Sequence, residues 1–279
     1  MPYTAEISRN NPSCFLFLID QSGSMGDVFA SGESTRQKCE GVADAINKLL
    51  QGLVIKCAKE EGVRDYFNVA VIGYGATVGS AYGGQLAGRD LVPVSDIANL
   101  PARIEERKRK VEDGAGGLVE QSVRFPIWFD PLANGGTPMC QAFGRATSLL
   151  ESWVLQHPNS FPPVVINITD GEATDGDPSA PAEAIKKIRT SDGEALLFNL
   201  HLSSVASAPI EFPDSESGLP DQFAQLLFRM SNVLPAHIRD QARNEGYRVT
   251  DGSRGFVFNA DLVSVIKFLD IGTRPSNLR

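Results

Sequence analysis

CFLFLIDQSGS, at residues 14–24, is an apolar run that ends abruptly in one carboxylate and two hydroxyls. Residues 14–19 have the length and the continuous apolar character of a strand buried in a parallel sheet. Asp20, Ser22 and Ser24 follow at alternate positions on one short loop. Their oxygens are hard ligands, which suit Mg²⁺, Mn²⁺ or Ca²⁺ better than zinc or copper. The same residue types also make ordinary turns, so the rest of a ligand set has to come from elsewhere.

Two later segments place oxygen ligands in comparable positions. Thr137 stands before Pro138 at the start of a helical pattern, where a threonine suits the N-cap. Asp170 ends a second apolar run, residues 164–169. In open parallel sheets, ligands bind beyond the carboxyl ends of the strands, at the point where the strand order reverses. We therefore expect Asp20 and Asp170 to meet at that edge of the sheet.

Together these five residues resemble the metal-ion-dependent adhesion site of the von Willebrand factor A (VWA) domain. Asp20, Ser22 and Ser24 match its Asp-x-Ser-x-Ser motif. Thr137 matches its separate threonine, and Asp170, followed by glycine, matches its distal aspartate. All five positions occur in the family's order, which is far more specific than any one of them. The alternative to a functional metal site is one that keeps these residues but seldom binds a metal ion.

The resemblance implies a single VWA domain over residues 1–279, with a core at about residues 13–268 and an insertion at about residues 78–128. The implied fold is α/β and Rossmann-like, a doubly wound, mostly parallel central sheet with helices on both faces and an extended edge insertion. The implied ion is Mg²⁺, with Mn²⁺ or Ca²⁺ as alternatives. The implied function is Mg²⁺-dependent protein–protein interaction, in which a partner donates a Glu or Asp carboxylate to the metal.

Composition narrows the class of protein further. The chain of 279 residues can form one large α/β domain or two small ones, and its net charge of −8 disfavours a broad nucleic-acid surface. No apolar stretch approaches membrane-spanning length, and the first run lacks the flanks of a signal peptide. The cysteines have no Cys-x-x-Cys spacing, which favours buried free thiols in a reducing cytosol over disulfides. We expect a cytoplasmic protein without a nucleic-acid or membrane partner. The four cysteines are Cys14, Cys39, Cys57 and Cys140.

Strands alternate with helices along the chain, which indicates βαβ crossovers and a mostly parallel sheet. Pro235 is expected to kink or split the helical region that contains it. The predicted helices lie at about residues 34–60, 97–111, 181–190, 221–245 and 261–269, with a further helix after Thr137. The predicted strands, after the first, lie at about residues 66–74, 164–169 and 195–202, with an extended piece at 121–129 and a short edge strand at 256–258.

Three groups of charged or polar residues have alternative interpretations. The run at residues 103–110 is typical of a solvated helix face with i,i+4 pairs, and a docking surface for an acidic partner is its alternative. Glu172, Asp175 and Asp177 are expected to solvate their loop, with indirect contact to the ion as the alternative. His201 is expected to be a satisfied core histidine.

The sequence lacks the motifs of several enzyme classes. The sequence has no Gly-x-x-x-x-Gly-Lys-Ser/Thr loop, Gly-x-Ser-x-Gly elbow around Ser22, His-Glu-x-x-His, or Gly-x-Gly-x-x-Gly after the first strand. We predict that the chain is not an enzyme. A Mg²⁺-dependent phosphate hydrolase is the catalytic alternative, because two aspartates and a metal could orient water. A metal-independent structural scaffold is the third class.

A narrower likeness is to bacterial stand-alone, intracellular VWA proteins, including those linked to tellurite resistance. It is carried by the Gly-Gly-Thr-Pro-Met run at residues 135–139 and the turn at residues 251–256. Cytosolic proteins of this kind work beside AAA+ ATPases, chelatase motors, or kinase and phosphatase pairs. The resemblance therefore implies a subunit of a larger intracellular complex.

Overall fold

The computed structural model describes residues 3–29, 36–112, 118–202, 208–260, 264, 267 and 268. Its α-helices are α1 (Lys38–Cys57), α2 (Val94–Asn99), α3 (Met139–Gln156), α4 (Ser179–Lys187), α5 (Gln222–Met230) and α6 (Ala236–Asn244). Its strands are β1 (Ser13–Asp20), β2 (Ala58–Lys59), β3 (Gly62–Val63), β4 (Phe67–Tyr74), β5 (Val78–Ser80), β6 (Leu91–Pro93), β7 (Arg103–Glu112), β8 (Leu118–Ile127), β9 (Val164–Thr169), β10 (Arg189–Thr190), β11 (Gly193–Glu194), β12 (Leu196–Leu202), β13 (Ile210–Glu211) and β14 (Phe256–Ala260).

An eight-stranded sheet forms the centre, in the order β13-β14-β12-β9-β1-β4-β5, with β6 also paired to β4. The five strands from β14 to β4 run parallel, and β13, β5 and β6 pair antiparallel at the margins. The strand order reverses beside β1, because β4 lies on one side of it and β9 on the other. The carboxyl ends of β1 and β9 therefore border the crevice where ligands of such sheets bind. This topology confirms the predicted Rossmann-like fold class.

Alternate residues of β1 enter two separate cores, as the period of two along a strand requires. Phe15 and Phe17 pack on the face covered by α1, α2 and α6. Leu16 and Leu18 pack on the opposite face, which α3, α4 and α5 cover. All eight residues of β1 are buried, and each large apolar side chain stabilises the fold by about 1.5–3 kcal/mol. Helices therefore cover both faces, and the first strand is fixed from both sides.

The segment of residues 78–128 builds the edge of the sheet beside β4. Strands β5 and β6 pair with β4, and β7 pairs with β8 in a separate hairpin ladder. The extended piece predicted at residues 121–129 is confirmed in its larger part by β8.

The prediction of a helix over residues 97–111 is wrong. Helix α2 ends at Asn99, and the charged run forms strand β7. In a strand, residues at alternate positions share a face, so Glu105 and Arg107 stand side by side and form an ion pair of 2.9 Å. Arg107 also pairs with Asp44 of α1 at 2.9 Å. These contacts, which a helical arrangement would separate, favour the hairpin over local helix propensity.

Two other predicted elements differ from the structure in informative ways. The helical region at residues 221–245 is split, as Pro235 predicts, and Pro235 becomes the N-cap of α6. The strand predicted at an edge, β14, lies inside the sheet between β12 and β13. That prediction was wrong because the two-residue strand Ile210–Glu211 has too weak a sequence signal to be seen as the outer neighbour.

The ends of three predicted helices also need adjustment. Helix α1, predicted at residues 34–60, runs from Lys38 to Cys57, because residues 58 and 59 form strand β2. Residues 34 and 35 lie outside the described residues. The helix predicted at residues 181–190 is α4, which ends earlier because residues 189 and 190 form a strand. Of the closing helix predicted at residues 261–269, the three described residues are helical and the others lie outside the description.

The cysteine thiols are free, and three of the four are buried. Burial raises the pKa of the Cys57 thiol to about 12, so this side chain behaves as an apolar core residue. In the part of the chain that the structure describes, no helix combines the length and apolar character needed to cross a membrane.

Candidate metal centre

Backbone hydrogen bonds join the loop after β1 to the loop before α3. The N–H of Asn134 donates to the carbonyl of Gln21 at 2.6 Å, and the N–H of Gly23 donates to the carbonyl of Gly135 at 3.0 Å. Gly135 has φ +90°, and a Cβ there would lie 2.4 Å from the nitrogen of Ala76. Only glycine permits this conformation and this approach together.

The loop after β9 is joined to the same loop before α3. The N–H of Thr137 donates to Thr174 Oγ1, and the N–H of Thr174 donates to the carbonyl of Thr137, both at 2.9 Å. Asp175 accepts the N–H of Cys140 on Oδ1 at 3.0 Å and that of Gln141 on Oδ2 at 2.9 Å. This carboxylate satisfies two of the unpaired N–H groups at the start of α3 and complements the helix dipole. Asp175 therefore has a structural role beyond the loop solvation predicted for it.

Thr137 does not cap α3 as the sequence predicted. Pro138 is the N-cap, and its ring has no group that could accept a cap hydrogen bond. Asp175 accepts the N–H groups of Cys140 and Gln141 instead. Thr137 is instead buried, at 4% exposure. A Cβ placed on Gly171 would lie 3.9 Å from Thr137 Oγ1, so this hydroxyl stands beside the carboxyl end of β9.

The side-chain oxygens of Ser22, Ser24 and Asp170 form a connected set, and the backbone N–H of Ser22 joins Asp20 to it. Ser22 Oγ lies 3.1 Å from Ser24 Oγ, and Ser24 Oγ donates to Asp170 Oδ1 at 2.8 Å. Asp20 Oδ1 accepts the N–H of Ser22 at 2.8 Å, and Asp20 Oδ2 accepts the hydroxyl of Thr169 at 2.6 Å. Asp20 and Ser22 are buried, whereas Ser24 is exposed. The set therefore opens to solvent at Ser24.

These distances suit an octahedral magnesium site. Mg²⁺ holds oxygen ligands at about 2.0–2.1 Å, so neighbouring ligand oxygens in an octahedron lie about 2.9 Å apart. The separations of 3.1 Å between the two serine hydroxyls and 2.8 Å between Ser24 and Asp170 are close to that value. The donors are all hard oxygens, two carboxylates and three hydroxyls. The residues that would hold the ion are Asp20, Ser22, Ser24, Thr137 and Asp170, and their role as ligands stays a prediction.

Only two of the five candidate ligands are acidic. Across the described parts of the chain, no group of three or more His, Cys, Asp and Glu side chains is placed to hold a metal ion. The candidate centre therefore depends on serine and threonine hydroxyls, which carry no charge.

Burial raises the pKa of the Asp20 carboxyl above its ordinary value. Hydrogen bonds from Thr169 and Ser22 act in the opposite direction, and the negative charge of Asp170 raises the pKa further. A carboxylate in such a place is stabilised in its charged form by a nearby cation. The divalent ion that these oxygens fit would supply that charge.

Sequence reasoning missed Lys38 and Thr169. Lys38 Nζ lies 2.8 Å from Asp170 Oδ2, and the two side chains are 3% and 0% exposed. The two residues are 132 positions apart, so no local pattern joins them. Thr169 was detectable in principle, because the pairing of Ile19 with Ile168 places Thr169 opposite Asp20 on the neighbouring strand.

His201 has the core role that the sequence predicted. Its ring stacks on Phe258 with 4.6 Å between ring centroids, and its Nδ1 accepts the N–H of Asn259 at 3.4 Å. Burial lowers the pKa of His201 to about 4, and the charge of Asp221 acts against that shift. The imidazole is therefore neutral at physiological pH.

A surface groove of about 390 Å³ lies between the loop after β9 and helix α5. Charged and apolar side chains both line it, and among them Phe223 is 39% exposed. Residues that line it include Glu172, Asp177, Leu226 and Arg229. The groove therefore offers both apolar and charged contacts near the candidate centre.

No protein-family model matches the chain, and no curated protein matches it. Among solved structures, the chain is similar to the vWF domain of the type V pili tip protein Mfa5 from Porphyromonas gingivalis, with 13% identity and a TM-score of 0.33. That match covers 59% of this chain and 39% of the other.

Two further structures match to the same degree. The three N-terminal domains of the same Mfa5 protein match with 13% identity and a TM-score of 0.33, over 58% of this chain and 20% of that one. The pilus adhesin RrgA from Streptococcus pneumoniae matches with 16% identity and a TM-score of 0.32, over 61% and 22%. The matches therefore span well under half the length of each of these structures.

Proposed function

We propose that this chain is a Mg²⁺-dependent protein–protein interaction module whose partner donates a Glu or Asp carboxylate to the ion. The observation that supports it is the connected set of hard oxygens at the point of strand reversal, open to solvent at Ser24. We propose that Ser22 and Ser24 bind the ion directly and that Asp20 and Asp170 bind it directly or through water, which leaves a position of the octahedron for an external group. An acidic group suits that position, because an ion held mainly by hydroxyls keeps much of its positive charge.

Specificity in this proposal comes from the loops around the ion. A carboxylate bound to a metal gives a strong but pointlike contact, so neighbouring surfaces must distinguish partners. We propose that residues 25–31, 134–138 and 172–177 provide these contacts, with residues 30 and 31 lying outside the described residues. The groove beside α5 extends the last of these surfaces.

Calorimetry with Mg²⁺ tests the metal site directly. We expect Asp20→Ala and Ser24→Ala to weaken Mg²⁺ binding, because each removes a ligand oxygen. Ser152→Ala is a matched control, since this exposed hydroxyl lies 13 residues into the helix that starts at Met139, about 20 Å from the site. Equal Mg²⁺ affinity in Asp20→Ala and wild type would rule out this ligand assignment.

Capture from native lysate tests whether the binding of a partner depends on the metal ion and on Thr137. The bait is the wild-type chain with Mg²⁺, the wild-type chain with EDTA, or the Thr137→Ala variant with Mg²⁺. The affinity of the captured protein for the chain is then measured in each of these three conditions. We expect binding only with Mg²⁺ and the intact threonine. Binding that survives both EDTA and the mutation would mean that another surface recognises the partner.

The same preparation distinguishes the two alternative classes. The proposal assigns no turnover to the chain, so Mg²⁺-dependent hydrolysis of phosphate esters, abolished by Asp20→Ala, would favour the hydrolase. Partner binding whose affinity is unchanged in EDTA would favour the metal-independent scaffold. The proposal also places the protein in the cytoplasm, in a complex such as an AAA+ ATPase or a kinase and phosphatase system, on the strength of the sequence resemblance alone.

A further inference from the structure

Lys38 is a buried cation that helix α1 does not itself require. Its side chain is 3% exposed, and lysine is almost never so buried unless it is paired. It is the first residue of α1, where the helix dipole disfavours a positive charge. Gln37 and Glu40 already form the capping box at this helix end. The position of Lys38 is therefore explained by its contact with Asp170.

The two oxygens of Asp170 face different partners. Oδ1 accepts the hydroxyl of Ser24 at 2.8 Å, on the side of the candidate ligands. Oδ2 accepts from Lys38 Nζ at 2.8 Å, on the other side. A divalent ion on the Oδ1 side and the ammonium on the Oδ2 side can therefore share one carboxylate. The ammonium would weaken the attraction between Asp170 and the ion.

The charges of the site show what this arrangement does. The carboxylates of Asp20 and Asp170 with the ammonium of Lys38 leave one net negative charge. A divalent ion converts this into one net positive charge, in surroundings where Asp20, Lys38 and the Asp170 side chain are all buried. Charges interact more strongly there than in water. A carboxylate from outside brings the filled site to neutrality.

We propose that Lys38 weakens the binding of the divalent ion alone and strengthens the binding of an external carboxylate to the filled site, an inference that rests on the proposed metal-dependent function. The ion alone binds weakly, because Lys38 opposes it. The carboxylate alone binds weakly, because the empty site is negative. Each raises the affinity for the other by the same factor, as linkage requires. The site then engages its ion and its acidic partner as a unit.

Calorimetry with Mg²⁺ and acetate as the probes tests this inference. Mg²⁺ is titrated into wild type and Lys38→Met, in saturating acetate and in chloride at matched ionic strength. For wild type we expect acetate to raise the Mg²⁺ affinity several-fold. For Lys38→Met we expect the affinity in chloride to rise by about tenfold or more, from the loss of cation repulsion, and the acetate effect to shrink. Lys108→Met, at an exposed lysine, is the matched control and should behave as wild type.

The outcomes distinguish a failure of this inference from a failure of the proposed metal-dependent function. Mg²⁺ binding that is unaffected by acetate in wild type overturns the cooperativity, and this arm needs no variant to fold. Equal Mg²⁺ affinities and equal acetate effects in wild type and Lys38→Met overturn the role of Lys38, while the metal-dependent function stands. Absence of Mg²⁺ binding in wild type, in both salts, overturns the function itself and this inference with it.

Discussion

Replacing Asp170 with alanine, measured in EDTA, tests how far the fold depends on the buried ion pair. Lys38 Nζ and Asp170 Oδ2 lie 2.8 Å apart, with side chains 3% and 0% exposed. Removing one partner of a buried pair costs about 3–5 kcal/mol, because the other charge stays in the interior without compensation. Since 1 kcal/mol shifts Tm by roughly 2–4 °C in chains of this order of size, we expect Tm to fall by about 6 °C or more.

A double-mutant cycle separates the ion pair from the other contacts of the two side chains. Lys38→Met/Asp170→Ala removes both charges, so we expect its loss of stability to be smaller than the sum of the two single losses. The measurement is the free energy of urea unfolding of wild type, both single variants and the double variant. We expect a coupling energy above about 1.5 kcal/mol, in the upper part of the range for residues in contact.

Lys108 and Glu120 provide the matched control for this cycle. Their atoms are 2.9 Å apart, close to the 2.8 Å of the buried pair, but the side chains are 77% and 54% exposed. Exposed pairs contribute about 0–1 kcal/mol, because water screens the charges and ordering the side chains costs entropy. A coupling energy between Lys38 and Asp170 no larger than that of the control would refute the argument, since burial is what distinguishes the two pairs.

Three further perturbations test other parts of the structure. Asp175→Ala should lower the unfolding free energy by about 1 kcal/mol through loss of the α3 cap, and an unchanged urea midpoint would contradict that role. His201 has a folded pKa of about 4 against an ordinary 6.5, so the unfolded chain binds a proton that the fold excludes between these values. This contribution of His201 to stability is therefore present above pH 6.5 and is lost as the pH falls towards 4. We expect His201→Gln to flatten the dependence of Tm on pH in this range, and an unaltered dependence would contradict this role of His201. Gly135→Ala should destabilise by about 1–3 kcal/mol, because φ is +90° and the new Cβ meets Ala76, and full stability in urea would show that the loop can move aside.

The centre of the fold was predictable because local signals and the global topology agree there. The runs before Asp20 and Asp170 are long enough to be strands, and their largely apolar character indicates burial on both faces. Once these two runs are parallel neighbours, the rule for open sheets brings their polar ends to one crevice. The register of β1 and β9 then fixes the side chains opposite one another.

The hairpin of β7 and β8 was not predictable from the same kind of signal. Its charged run contains good helix formers, and Arg, Lys and Glu at close spacing support a helix as readily as a strand. What decides the conformation is the contact of Arg107 with Asp44 on α1, 63 residues away, and with the Phe125 ring at 4.0 Å. Contacts at that separation in sequence override local propensity without leaving a periodic pattern.

The electrostatic character of the candidate centre depends on residues outside its motif. The five motif residues alone contain two carboxylates, whose charges together balance that of a divalent ion and leave the filled site without net charge. Lys38 changes that balance by one charge, yet a lysine at the start of an amphipathic helix is ordinary in sequence and would be expected to face water. Asp175 likewise resembles a loop carboxylate until its contacts with α3 are seen. A motif therefore identifies which atoms can bind an ion, while the charge that governs how tightly it binds comes from side chains that only the fold brings together.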